Sequence, residues 1–138
     1  MNNIDHAKFV LKDRKASAVF CSGNQEIVLE GSGIKPLLEI MKTRTAFSEF
    51  SVADKIIGKA AALLFVKMKI ASVYALVMSE KAKEIFLFHN IPFSYNILTE
   101  AIINRNGDDI CPMEKAVENL NDPEDAYQVL KNIVYQRK

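Results

Sequence analysis

Three side chains in this sequence have the type and setting to do chemistry: Asp54, Lys59 and Cys111. Cys111 stands directly before Pro112 in Ile110-Cys111-Pro112-Met113-Glu114. Proline belongs at the first helical position, so the thiol falls at the N-cap, where exposed N–H groups and the helix dipole favour a thiolate. Glu114, three residues on, makes the pattern of a capping box with sulfur in the serine place. The plainer reading of Cys111 is a small, half-buried capping residue. The preceding polar loop, Asn104–Asp109, offers Asn104 and Arg105 as neighbours of the thiol. Lys59 lies in Ile57-Gly58-Lys59-Ala60. An amine there must either reach water along its aliphatic stem or sit in a pocket beside an acid. Asp54, five residues earlier, meets it only by folding back across a helix N-terminus.

The elements that must position these groups centre on Val52–Leu64, VADKIIGKAAALL. Its apolar block, Ala60–Val66, is too apolar for a surface helix and too short for a membrane span. The stretch predicts a buried central helix from Asp54 to Lys67, with Asp54 as N-cap. Gly58 inside its first turns costs about 1 kcal/mol relative to alanine. That cost is accounted for if another backbone or a ligand approaches closely there.

Around this helix the chain reads in order. A short helix over Asp5–Lys12 precedes a hairpin of Ala16–Cys21 and Glu26–Glu30 about a Ser22-Gly23-Asn24 turn. Gly31-Ser32-Gly33 leads into a helix, Ile34–Met41, with Pro36 in its first turn. Such a loop can hold a phosphate, but it has neither the lysine–serine pair of a P-loop nor a full dinucleotide fingerprint, and it reads most simply as a strand-to-helix turn. Thr45–Val52 reads as a short strand or extended approach. Ala71–Met78, a helix capped by Ser79, and Ile91–Tyr95 make a βαβ unit with parallel strands. Thr99–Ile103 reads as a turn of helix, and two further helices follow, the last beginning at Pro123.

Length and composition bound the rest. With 138 residues the chain is one domain, 1–138. A net charge of +1, with no interleaving of basic and aromatic residues, points away from nucleic acid. Nothing in the chain reads as a signal peptide or membrane anchor, so a cytoplasmic protein with two free thiols, Cys21 and Cys111, is expected. Cys21, inside an apolar strand, reads as core. The only histidines are His6 and His89 and there is no Cys-x-x-Cys, so neither a metal nor another cofactor is expected.

The runs ADKIIGKAAALL, VYALVMSEKAKEI and IINRNGDDICPMEKAV carry a resemblance that spans nearly the whole chain. They are similar to an uncharacterised prokaryotic family of unknown function whose members resemble cytidine deaminases in fold. The resemblance implies an α/β protein, three-layer α/β/α with a mixed sheet. It does not imply zinc deamination. A deaminase places His-x-Glu at the start of one core helix and Cys-x-x-Cys at the start of the next. Here those places read Gly58-Lys59-Ala60 and Ser79-Glu80-Lys81-Ala82. The shared residues imply a different site in the same cleft, from Asp54, Gly58, Lys59, Asn104, Arg105 and Cys111, with Glu114 as support.

Two functions fit these residues. In one, the protein is an enzyme of cysteine chemistry on a small, nucleotide-like substrate: Cys111 attacks, Lys59 stabilises charge, and Asp54 and Asn104 orient. In the other, it is a non-catalytic module whose same residues bind a ligand or another protein. A homodimer is a third expectation, because the apolar strands and Phe86-Leu87-Phe88 exceed what one helix face buries.

Overall fold

The computed structural model describes residues 2–14, 16–31, 33–43, 46–104 and 106–136. Its first element, α1 (Asn3–Asp13), is capped by Asn2, whose side chain accepts from the Asp5 N–H. Then come β1 (Ala18–Ser22) and β2 (Gln25–Leu29), an antiparallel hairpin. Gly23, at φ 56°, takes the left-handed place that a two-residue turn requires. The helix α2 (Lys35–Met41) carries Pro36 in its first turn, where no N–H is needed.

The following strand and helix differ from the sequence expectation. Residues Ser51–Ile57 form β3, and the central helix α3 runs only from Lys59 to Met68, with Gly58 at its N-cap. Asp54 is therefore not a helix cap; it sits in the middle of a strand. β3 is the middle strand of five, in the order β2-β1-β3-β4-β5, where β4 is Ser72–Ser79 and β5 is Phe93–Thr99. Val52 and Ala53 are both fully buried because helices cover both faces there, so no polar–apolar alternation marks the strand. Thr45, which opens the expected Thr45–Val52 segment, lies outside the described residues, and only Ser51 and Val52 of that segment belong to the strand.

The second half follows the expected βαβ unit. The strands β4 (Ser72–Ser79) and β5 (Phe93–Thr99) are parallel, and β4 is parallel to β3. Between them lies α4 (Glu80–Phe88), capped by Ser79, whose Oγ accepts from the Ala82 N–H at 3.1 Å. Residues 99–103 do not form the expected helical turn: Thr99 ends β5, and Ile103 bridges Ile110 across a loop. Asn104 organises that loop, accepting at Oδ1 from the Gly107 and Asp108 N–H groups. Two C-terminal helices complete the chain, the short α5 (Pro112–Ala116) and α6 (Pro123–Gln136).

Two apolar clusters hold the layers. On one sheet face, α1 packs Ala7, Val10 and Leu11 against Val19, Cys21, Ala53 and Tyr74. On the other, α3 lies among α2, α4, α5, α6 and the sheet, and Ala60–Phe65 are all buried. An apolar helix surrounded in this way needs no wet face, which explains its composition.

Candidate functional site

The feature that joins the two chemistry-bearing segments is Glu114. Its carboxylate reaches from α5 to the first turn of α3, where Oε1 accepts from the Lys59 N–H at 2.7 Å and Oε2 from the Ala60 N–H at 2.8 Å. Two of the orphan donors at the helix start are thus satisfied by an acid from 54 and 55 residues away, and its charge complements the helix dipole. Gly58 is required for this approach. A Cβ there would lie under 3 Å from all three atoms of the Glu114 carboxylate. The close approach expected at Gly58 comes from this side chain. Glu114 therefore does not form a capping box with Cys111, and Cys111 makes no side-chain cap to α5.

A cleft of about 810 Å³ opens beside this junction. Its walls come from the base of the hairpin, the loop into α2, the carboxyl half of β3, the start of α3 and the segments on either side of the 104–110 loop. Asp54, Gly58, Asn104, Cys111 and Glu114 all line it, with Leu37, Ile34 and Met113 giving apolar wall. Ligands in open α/β sheets bind at this end, beyond the carboxyl ends of the parallel strands. Arg105 lies outside the described residues.

Asp54 is the notable group in the cleft. It is a buried carboxyl in the central strand, and its Oδ1 accepts a long bond of 3.4 Å from the Ile56 N–H. Among the described residues no side chain pairs with it. Burial pushes its pKa up from 3.8 to about 7, against weaker opposing pulls from the backbone N–H groups of Ile56 and Lys55. Near neutral pH the group is then both a proton donor and an acceptor.

Lys59 does not join this cleft. Its side chain is buried, and Nζ donates to the Glu118 carbonyl at 3.1 Å. It lines a separate small cavity of about 40 Å³ with Ser79, Glu100, Ile102 and Glu118, between the starts of α3 and α4. Burial, and next the charge of Lys81, hold its ammonium below the usual lysine range, while Glu114, Glu118 and Glu84 oppose the shift. The expected partnership of Lys59 with Asp54 and Cys111 is thus not made. A strand-to-helix transition at Gly58 separates the two side chains and sends them to different cavities.

Cys21 is wholly buried, as expected of a core residue, and burial, with a further push from Glu26, raises its thiol to about 11. Sequence reading missed its surroundings. Cys21 lies directly opposite Glu26 across the hairpin, and His6 of α1 stands over both. The Cys21–Glu26 pairing was legible, since the Gly23-Asn24 turn sets the register. The arrival of His6 was not.

A five-stranded mixed sheet with helices on both faces and a cleft at its strand ends defines an α/β protein. The family model for a domain of unknown function, DUF1893 (TM1506), matches residues 6–134, and the chain belongs to that family. It is similar to the crystal structure of a DUF1893 family protein (TM1506) from Thermotoga maritima, with 30% identity and a TM-score of 0.88 over 94% of this chain and 88% of that one. No curated protein matches it. Among the described residues, no helix is long and apolar enough to cross a membrane.

Proposed function

We propose that the cleft binds a small, flat nitrogen heterocycle of the nucleobase type and that Asp54 reads its edge. The observation that carries this reading is a buried carboxyl without a side-chain partner among the described residues, in a cleft of about 810 Å³ with apolar walls. Clefts of this volume are typical of small-molecule sites. A carboxyl poised near neutrality suits an edge with a ring nitrogen beside an exocyclic amine: O–H donates to the ring nitrogen and C=O accepts from the amine. Asn104 supplies a further polar group at the rim.

The test is an NMR titration of the full chain with cytidine, adenosine and N3-methyluridine. Cytidine and adenosine carry the amine-and-nitrogen edge; N3-methyluridine has no donor on its pairing edge and cannot engage both oxygens of the carboxyl. The expected result is movement of amide signals around Asp54, Ala61 and Cys111 with the first two, and a loss of more than about tenfold in affinity in Asp54→Leu, which removes both donor and acceptor, with binding kept in Asp54→Asn, whose amide retains the same donor–acceptor pair. Equal response to all three nucleosides, or none, refutes the reading.

One observation favours a catalytic version: the half-buried Cys111 lines the same cleft. In it the Cys111 sulfur adds to the carbon of a ring C=N bond, the π pair of that bond moves to the nitrogen, and the thiol proton passes through Asp54 to the same nitrogen. Lys59, in its separate cavity, has no part in that step. A deaminase-type fold belongs to the same reading. It is supported by the mixed sheet between helical layers, and by α3 starting beside the cleft where a deaminase would present His-x-Glu. Here the Glu114 carboxylate occupies that helix start. Free Cys21 and Cys111 support a reducing, cytoplasmic setting. Exposed Leu87, Phe88 and Ile97 support self-association, which sedimentation at several concentrations would test.

A further inference from the structure

On the sheet face opposite the cleft, three ligand-type side chains from separate segments converge. The available ligand atoms of His6, Cys21 and Glu26 all lie within 4.8 Å of one another. We propose that His6, Cys21 and Glu26 form a site for one thiophilic divalent transition-metal ion, best matched by Zn²⁺, with a fourth position open to water.

The geometry builds from the hairpin. Cys21 and Glu26 are directly paired across β1 and β2, so their side chains leave the same face. α1 lies along that face. Its Asn3 accepts at Oδ1 from the Gly23 N–H, and His6 Nε2 meets Glu26 Oε2 at 2.9 Å. Zn²⁺ binds sulfur at about 2.3 Å and imidazole or carboxylate at about 2.0–2.2 Å. Tetrahedral edges built from such bonds are about 3.3–3.8 Å. The His6–Glu26 contact therefore needs to open by under about 1 Å to admit the ion.

The surroundings fit a metal better than a plain ion pair. A surface His–Glu pair needs no thiol within reach, yet the fully buried Cys21 lies there. The His6 and Glu26 side chains are 33% and 27% exposed, which leaves an entry path from solvent. Arg14 Nη1 lies 3.8 Å from the other carboxylate oxygen, Glu26 Oε1, a loose ion pair that leaves Oε2 to face His6 and Cys21. One thiolate and one carboxylate neutralise a divalent charge. The sulfur and imidazole select zinc-like ions over Mg²⁺ and Ca²⁺. The Cys21 thiol is protonated in the metal-free protein, so binding releases its proton to solvent as the S–metal bond forms.

Chelator-stripped full-length protein, titrated with Zn²⁺ and separately with Co²⁺, tests this. The expected result is one ion per chain and, with Co²⁺, a thiolate-to-metal charge-transfer band. That band should be absent in Cys21→Ser and kept in Cys111→Ser. His6→Gln and Glu26→Gln, at accessible positions that keep the fold intact, should each weaken binding more than about tenfold. The proposal is overturned if the protein takes up no ion, if the band follows Cys111, or if His6→Gln leaves the affinity unchanged.

Discussion

Replacing Gly58 with alanine should be destabilising only while Glu114 is present. In the native chain the new Cβ falls within 3 Å of the Glu114 carboxylate, so the carboxylate must withdraw from the Lys59 and Ala60 N–H groups. Both residues are buried, so water only partly replaces the lost acceptor. Loss of a helix cap costs about 0.5–2 kcal/mol, and hydrogen bonds to a charged group are worth about 1.5–3 kcal/mol each in favourable cases. Glu114 is half-buried, which places the combined loss near the lower end, about 2 kcal/mol. Glu114→Ala alone should lose about the same. In the Glu114→Ala background the obstruction is gone and the backbone at φ −101°, ψ −172° accepts alanine. The entropic gain of about 0.4–1 kcal/mol then roughly offsets the ordinary preference for glycine at an N-cap. Gly58→Ala should therefore be near neutral there, giving a coupling of about 1.5–2 kcal/mol in a double-mutant cycle. Urea unfolding of the four proteins measures it. A coupling below about 0.5 kcal/mol, or a Gly58→Ala protein as stable as the native chain with Glu114 in place, would refute the assignment of Glu114 as the cap of α3.

Other outcomes follow from the same structure. Asp54 titrates near 7 in the folded chain against 3.8 unfolded, so between these values the native state binds the extra proton and stability falls as pH rises. Asp54→Asn should remove that slope and be the more stable protein at pH 8, by up to about 4 kcal/mol; urea midpoints at pH 5 and pH 8 show it. Native-state alkylation followed by mass spectrometry should label Cys111 and leave Cys21 untouched until urea unfolds the chain, because the Cys21 sulfur lies buried beneath His6 and Glu26, too deep for a bulky alkylating reagent, and burial keeps it a thiol. Ser79→Ala should cost about 1 kcal/mol through loss of the α4 cap, read as a lower urea midpoint at unchanged slope.

The periodic and the local were legible in the sequence, and the long-range was not. The hairpin, the βαβ unit with its Ser79 cap, and the proline-started last helix each rest on turn chemistry or spacing within a few residues. The boundary between β3 and α3 was lost because Asp54 and Lys55 interrupt the apolar run in the middle of a central strand, where charge is rare. An acid followed by an apolar block resembles a helix cap, and Gly58, the true N-cap, lay inside the expected helix. Glu114 was singled out in sequence for a local capping role, but its partner is a helix more than 50 residues away, which no local pattern encodes. The same holds for Lys59, whose turn away from Asp54 depends on where the strand ends.

The titration of the Asp54 carboxyl itself, followed by its ¹³C signal with and without cytidine, bears most directly on the proposed site. The account predicts a midpoint near 7 in the free protein, displaced when cytidine is added. A midpoint near the ordinary aspartate value of about 3.9, unmoved by cytidine, would contradict it.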